Sequence, residues 1–158
     1  MSGPGAAPEA RLLSEGVLRP EEVQEILRAF FDQARASLEA LGQGVLAIEG
    51  MMPSEARLRP LRRAAHTLKG DCASVGFGEL SRLAHAVEDA LAALESGRQR
   101  VSADESDLLL AAVDRLRAGL DAGAAGQRLP PVADLVEALQ RGAGGDGAGD
   151  GWEDALDA

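Results

Sequence analysis

From Pro20 onward the chain alternates between runs of three-and-four spaced apolar residues and short breaks rich in Gly, Pro and Ser, a pattern that predicts helices joined by tight connections. The first run, Val23, Ile26, Leu27, Phe30, Phe31, Leu38, Leu41, Val45 and Ile48, marks one face of a long helix. Pro20 suits its first position, and Gly42 and Gly44 weaken its last turns before an end near Gly50. Met51 to Ser54 form a connector, and Leu58, Leu61, Ala65, Leu68, Cys72 and Val75 define a second helix. There Pro60 is either the true first turn or the site of a mild kink. After Gly76-Phe77-Gly78, the residues Leu80, Leu83, Val87, Leu91 and Leu94 give a third helix that stops at Gly97. Ser102 and Glu105 make the capping box of a fourth, carried by Leu108, Leu109, Ala112, Val113, Leu116 and Leu120 to an end near Gly123. Pro130 and Pro131 introduce a shorter fifth segment with Val132, Leu135, Val136 and Leu139. The expected fold is all-α, an antiparallel four-helix bundle with a short fifth C-terminal helix docked on its side.

Outside these runs the pattern lapses. Residues 1 to 19 mix Gly, Pro, Ala and Ser without a sustained period and are expected to be a flexible leader; 20 to 141 form the bundle; 142 to 158 have the Gly-rich acidic composition of a linker or tail. That tail carries five acids and no base, half of the net charge of -10. Composition agrees with helices: 46% of residues are hydrophobic but only 3% aromatic, so Leu, Val and Ala must build the core. The acidic balance argues against nucleic acid as a partner. A single cysteine excludes an internal disulfide, and no apolar run suffices for membrane insertion. The expected setting is soluble and cytoplasmic.

The chemistry concentrates on the second helix. At about 100° per residue, His66 projects roughly 130° away from the centre of the apolar face, and so towards solvent. Arg62, Arg63, Lys69 and Gly70 lie three and four residues from it. From Arg57 to Lys69 there are five basic residues and no acid, a local reversal of sign suited to a dianionic phosphoryl group. Arg57 and Arg59 lie too far from His66 to influence it. Gly70 costs about 1 kcal/mol against alanine in mid-helix, and clearance for a partner closing over the imidazole is one reason for it. A neutral imidazole with one nitrogen fixed as a donor leaves its other lone pair free as a phosphoryl acceptor. On the third helix His85 and Glu88 lie off the apolar face. If the second and third helices pack side by side, Glu88 can accept a hydrogen bond from His66 and raise the basicity of the other nitrogen. His85 fits a packing role at the seam as well as a direct one. Two histidines on separate helices do not make a metal site, and none is expected.

The string Ala64-Ala65-His66-Thr67-Leu68-Lys69-Gly70, followed by Val75-Gly76-Phe77 and by His85 and Glu88, resembles histidine phosphotransfer (HPt) domains, most closely those at the N-terminus of chemotaxis histidine kinases of the CheA type. The likeness covers about residues 20 to 141, including Phe30-Phe31-Asp32 and Val113-Asp114-Arg115-Leu116. It implies that His66 is phosphorylated, that Lys69 assists with the phosphoryl group, and that Glu88 orients the imidazole with His85 in the same hydrogen-bond network. Asp71 departs from the small or neutral residue common after the glycine, but it lies well around the helix from His66. The implied role is that of a phosphoprotein intermediate in a two-component phosphorelay. It would receive its phosphoryl group from a histidine kinase catalytic domain and pass it to the aspartate of a response-regulator receiver domain. No phosphate-binding loop is present, so the domain is expected to bind no cofactor itself, with ATP used by the partner kinase. On this reading the domain is a carrier rather than an enzyme, and the acidic tail favours a fragment of a larger kinase. The competing reading is a non-catalytic helical module that docks a protein partner through its basic face.

Overall fold

In the computed structural model, residues 18–144 are described, and they form five helices: α1 (Pro20–Ile48), α2 (Glu55–Ser74), α3 (Gly78–Ser96), α4 (Ala103–Ala124) and α5 (Ala133–Gly144). Most of the expected leader and tail lies outside the described residues. α5 runs to Gly144, three residues past the expected end of the bundle at 141. α1 packs on α2 and α4, and α3 packs on α2 and α4, so the first four helices close an antiparallel ring. α5 lies against α3 and α4, where Arg115 grips Asp134 through two bonds of 3.0 and 3.3 Å and donates to the Pro131 carbonyl.

Helices α2 and α4 start where the sequence supplies side-chain acceptors. Ser102 and Glu105 form the expected box, Ser102 Oγ accepting from Glu105 N–H and Glu105 Oε1 from Ser102 N–H, both at 3.1 Å. α2 begins earlier than its apolar residues suggest, because Ser54 Oγ accepts from Arg57 N–H at 3.2 Å and caps it. That start puts Pro60 inside the helix, in its second turn.

Leucine, valine and alanine fill the interior, as composition required, and Cys72 is fully buried among them. Burial first and then the charge of Asp71 push its thiol up to about 12. Ile26, assigned to the apolar face of α1, is 40% exposed. The three phenylalanines gather at one end, where Phe77 sits in the α2–α3 turn with ring centroids 5.7 Å from Phe30 and 6.2 Å from Phe31. At the other end the α1–α2 and α3–α4 connectors pair: Gly50 N–H donates to the Val101 carbonyl at 2.8 Å, and Val101 N–H to that of Met51 at 2.9 Å. Helix α2 is thus fixed at both ends with its middle turns free on the outer side.

Some glycines inside the helices serve close packing. A Cβ at Gly119 in α4 would fall 2.4 Å from Cδ2 and 3.1 Å from Cδ1 of Leu80, a side chain with no exposed surface. Gly119→Ala is therefore expected to lose stability despite its better helix propensity. Overpacking costs about 1–3 kcal/mol against a propensity gain of about 1 kcal/mol, so the denaturation midpoint should fall.

Candidate functional site

His66 stands midway along α2 with 65% of its side chain exposed. Two faces flank it. On one side α2 meets α3; on the other an open groove separates α2 from α1, lined by Ala36, Ser37 and Ala40 of α1 and by Arg63, Ala64 and Thr67 of α2.

The α2–α3 seam holds a ladder of polar contacts. Arg62, His66 and Lys69 form one stripe of α2, and Ser81, Glu88 and Glu95, spaced seven apart, form one stripe of α3. In the central rung His66 Nδ1 lies 3.0 Å from Glu88 Oε1, while Lys69 Nζ donates to Glu88 Oε2 at 3.1 Å. On one side Arg62 Nη1 pairs with Glu95 Oε2. On the other Ser81 Oγ donates to the Lys69 carbonyl at 2.9 Å.

Burial alone would push the Glu88 carboxyl up, but hydrogen bonds from Lys69 and His66, with the charges of both, outweigh it and hold the group below its ordinary value. Glu88 is thus a carboxylate at neutral pH and can only accept. The facing Nδ1 then carries a proton, and in the neutral form of the ring the Nε2 lone pair is left unshared. Chemically, such an arrangement can present the outer nitrogen as a nucleophile, with a counter-charge on the inner side.

Of the expected site residues, the structure brings His66, Glu88 and Lys69 into contact. His85 is placed differently: it does not join this network. Its Nε2 lies 3.5 Å from Asp89 Oδ2 one turn along α3, and its side chain is 57% exposed. The reason is angular, since a residue three before Glu88 sits about 60° around the helix, here further from the buried face. Arg62 is taken up by Glu95, so the cationic surround is narrower than the sequence suggests. Arg63 remains exposed on the groove side and makes no ion pair with a described residue. Ser81 and Glu95 were not anticipated; their seven-residue spacing from Glu88 was the available signal. Among the described residues no cluster of His, Cys, Asp or Glu is suited to a metal ion, and no helix is long and apolar enough to cross a membrane.

A Cβ at Gly70 would meet nothing within 4 Å among the described residues, so no packing between them requires a glycine there. Gly70→Ala is expected to raise stability by about 1 kcal/mol, through helix propensity alone. The same substitution therefore has opposite signs at Gly70 and Gly119, and urea denaturation of the two variants checks both.

The profile of the Hpt domain matches residues 25–119. The chemotaxis protein CheA of Treponema pallidum is 38% identical over 118 residues, 74% of this chain but 14% of the relative. CheA of Cereibacter sphaeroides is 35% identical over 133 residues, 80% of this chain and 19% of the relative. This chain thus spans less than a fifth of either. The crystal structure of the phosphorylated P1 domain of CheA3 in complex with CheY6 from R. sphaeroides aligns with a TM-score of 0.64 and 26% identity, over 75% of this chain and 95% of that one. With the match spanning the bundle from α1 into α4, and with the exposed imidazole of α2 held by a carboxylate of α3, the chain belongs to the Hpt domain family.

Proposed function

We propose that this chain is the phosphotransfer domain of a chemotaxis-type two-component system and that His66 carries the phosphoryl group. The observation that bears most weight is the Nδ1–Glu88 bond of 3.0 Å beneath an outward Nε2. The Nε2 lone pair attacks the γ-phosphorus of ATP held by a histidine kinase domain. An N–P bond forms as the P–O bond to ADP breaks, and Nδ1–H stays on the ring, its positive charge faced by Glu88. In the second step a receiver aspartate oxygen attacks phosphorus and the N–P electron pair returns to Nε2. No proton has to move between protein groups in either step, so the domain needs only to position, not to catalyse by acid or base. Lys69 lies beside the carboxylate with 28% of its side chain exposed, near enough to follow the charge as it builds on the imidazole side. Arg63 and the vacant surface over Gly70 suit a partner that approaches from the groove side. ATP belongs to the partner on this reading, and the setting is the cytoplasm, where such kinases and receivers meet.

The test is incubation of the chain with a chemotaxis-type kinase catalytic domain and γ-labelled ATP. The expected product is a base-stable, acid-labile phosphate that moves to a receiver domain when one is added. A chain that takes no label, while a known phosphotransfer domain in the same mixture does, overturns the proposal.

A further inference from the structure

Ser81 has no assigned part in the site, yet its hydroxyl bonds in a way that the other helical serines do not. Ser96 Oγ donates to the Ala92 carbonyl and Ser74 Oγ to that of Asp71, each turning back on its own helix as serines commonly do. Ser81 instead reaches across the seam to the carbonyl of Lys69, at 2.9 Å, while its own backbone N–H donates to Phe77. The acceptor belongs to the residue whose ammonium holds Glu88.

The rungs of the ladder differ in stiffness. Arg62–Glu95 and Lys69–Glu88 join pairs of long side chains, which tolerate sliding of one helix along the other by changing rotamers. A serine has one side-chain rotor, and a main-chain carbonyl has none of its own. The Ser81–Lys69 bond therefore ties backbone to backbone. The buried face of α3 carries Ala84, Ala86 and Ala90 among the larger Leu80, Leu83, Val87 and Leu91, and the alanines interlock less against a shift along the axis than the larger side chains do. A slide of α3 along α2 carries the Glu88 backbone with it, and a carboxylate that must keep both Lys69 and Nδ1 has less rotamer freedom to restore the 3.0 Å contact than one that keeps a single partner.

We infer that Ser81 is a positioning residue: by tying α3 to the Lys69 carbonyl it sets the helix register that keeps Glu88 on Nδ1 of His66, and with it the tautomer that leaves Nε2 free. This inference deepens the phosphotransfer reading and rests on it for its functional consequence, but its structural content can be measured without any partner.

The experiment compares wild type, Ser81→Ala and Ser81→Thr as full chains. Nitrogen-15 NMR of the imidazoles, at alkaline pH where the ring is neutral, gives the ratio of the two tautomers of His66. Label uptake from a kinase domain gives the rate. Ser81→Ala is expected to shift the ratio away from Nδ1–H by about two- to tenfold, the effect of one lost hydrogen bond, and to slow uptake by a similar factor. Ser81→Thr, which keeps the hydroxyl, is expected to restore both. A His66 tautomer ratio unchanged in Ser81→Ala overturns the inference, whatever happens to the melting temperature, because a serine that merely stabilises the bundle would leave that ratio alone. If the wild-type chain takes no label, the phosphotransfer reading falls, and the tautomer ratio still decides the role of Ser81.

Discussion

His66→Gln is expected to take up no base-stable, acid-labile phosphate from the kinase domain, while folding as the wild type does. The side chain is 65% exposed, and substitutions at such positions usually stay within about 0.5 kcal/mol, so a circular-dichroism melt should superimpose on that of the parent. Glutamine has nearly the length of histidine and can still offer its amide N–H to Glu88, but it has no nucleophilic lone pair on nitrogen. The other imidazole cannot substitute. His85 is turned towards Asp89 on an exposed arc of α3, outside the hydrogen bonds that Glu88 makes to His66 and Lys69. Label remaining on His66→Gln but lost on adding His85→Gln would relocate the acceptor to α3 and refute the assignment.

Glu88→Ala should give the second largest effect, a fall in the rate of label uptake of about 10- to 100-fold, the range seen when the group that orients a working imidazole is removed elsewhere. Two losses combine. The imidazole no longer has an acceptor for Nδ1–H, and the charge that faces the cationic phosphohistidine is gone. Glu88→Gln should fall between, since an amide oxygen can still accept but carries no charge. The same carboxylate makes stability depend on pH. Its folded value lies below the ordinary 4.5, so the stability it contributes is fully present above that value and is lost as pH falls through the folded value. Acid titration of the unfolding free energy in the two chains checks this: the wild type should lose more stability than Glu88→Ala across that window, and equal losses would mean that the Lys69 and His66 contacts are not made in solution.

The bundle was legible because a period of 3.6 residues encodes which face is buried, and five amphipathic runs with short breaks leave few ways to pack. Ser102–Glu105 could be read as a cap because both partners lie within one turn. Ser54 follows the same logic, but Pro60 leaves the start of α2 open in one dimension, between a first turn there and a position inside a longer helix. His66, Lys69 and Gly70 stood out because they share a helix, and Glu88 followed from the need for a carboxylate opposite an exposed imidazole. What escaped were pairings set only when two helices meet. Glu95 and Ser81 look like ordinary surface residues in one dimension, and only the register of α2 on α3 gives them Arg62 and the Lys69 carbonyl. The place of His85 outside the Glu88 contacts is hidden in one dimension for the same reason, since closeness to Glu88 in sequence does not say which part of the helix faces the neighbour. The glycines divide likewise: helix propensity treats Gly70 and Gly119 alike, and only packing shows that a Cβ at Gly119 meets Leu80 while one at Gly70 meets nothing within 4 Å among the described residues.

The burial of Cys72 has a practical consequence. The thiol has no exposed surface, and its acidity is weakened to about 12, so almost none of it is thiolate at neutral pH and maleimides should leave it untouched while the chain is folded. Because it is the chain's single cysteine, a new one introduced on the exposed surface of α3 or beside the groove would be the sole address for a fluorophore. The native chain thus already supplies a silent background for watching partners arrive and leave by energy transfer.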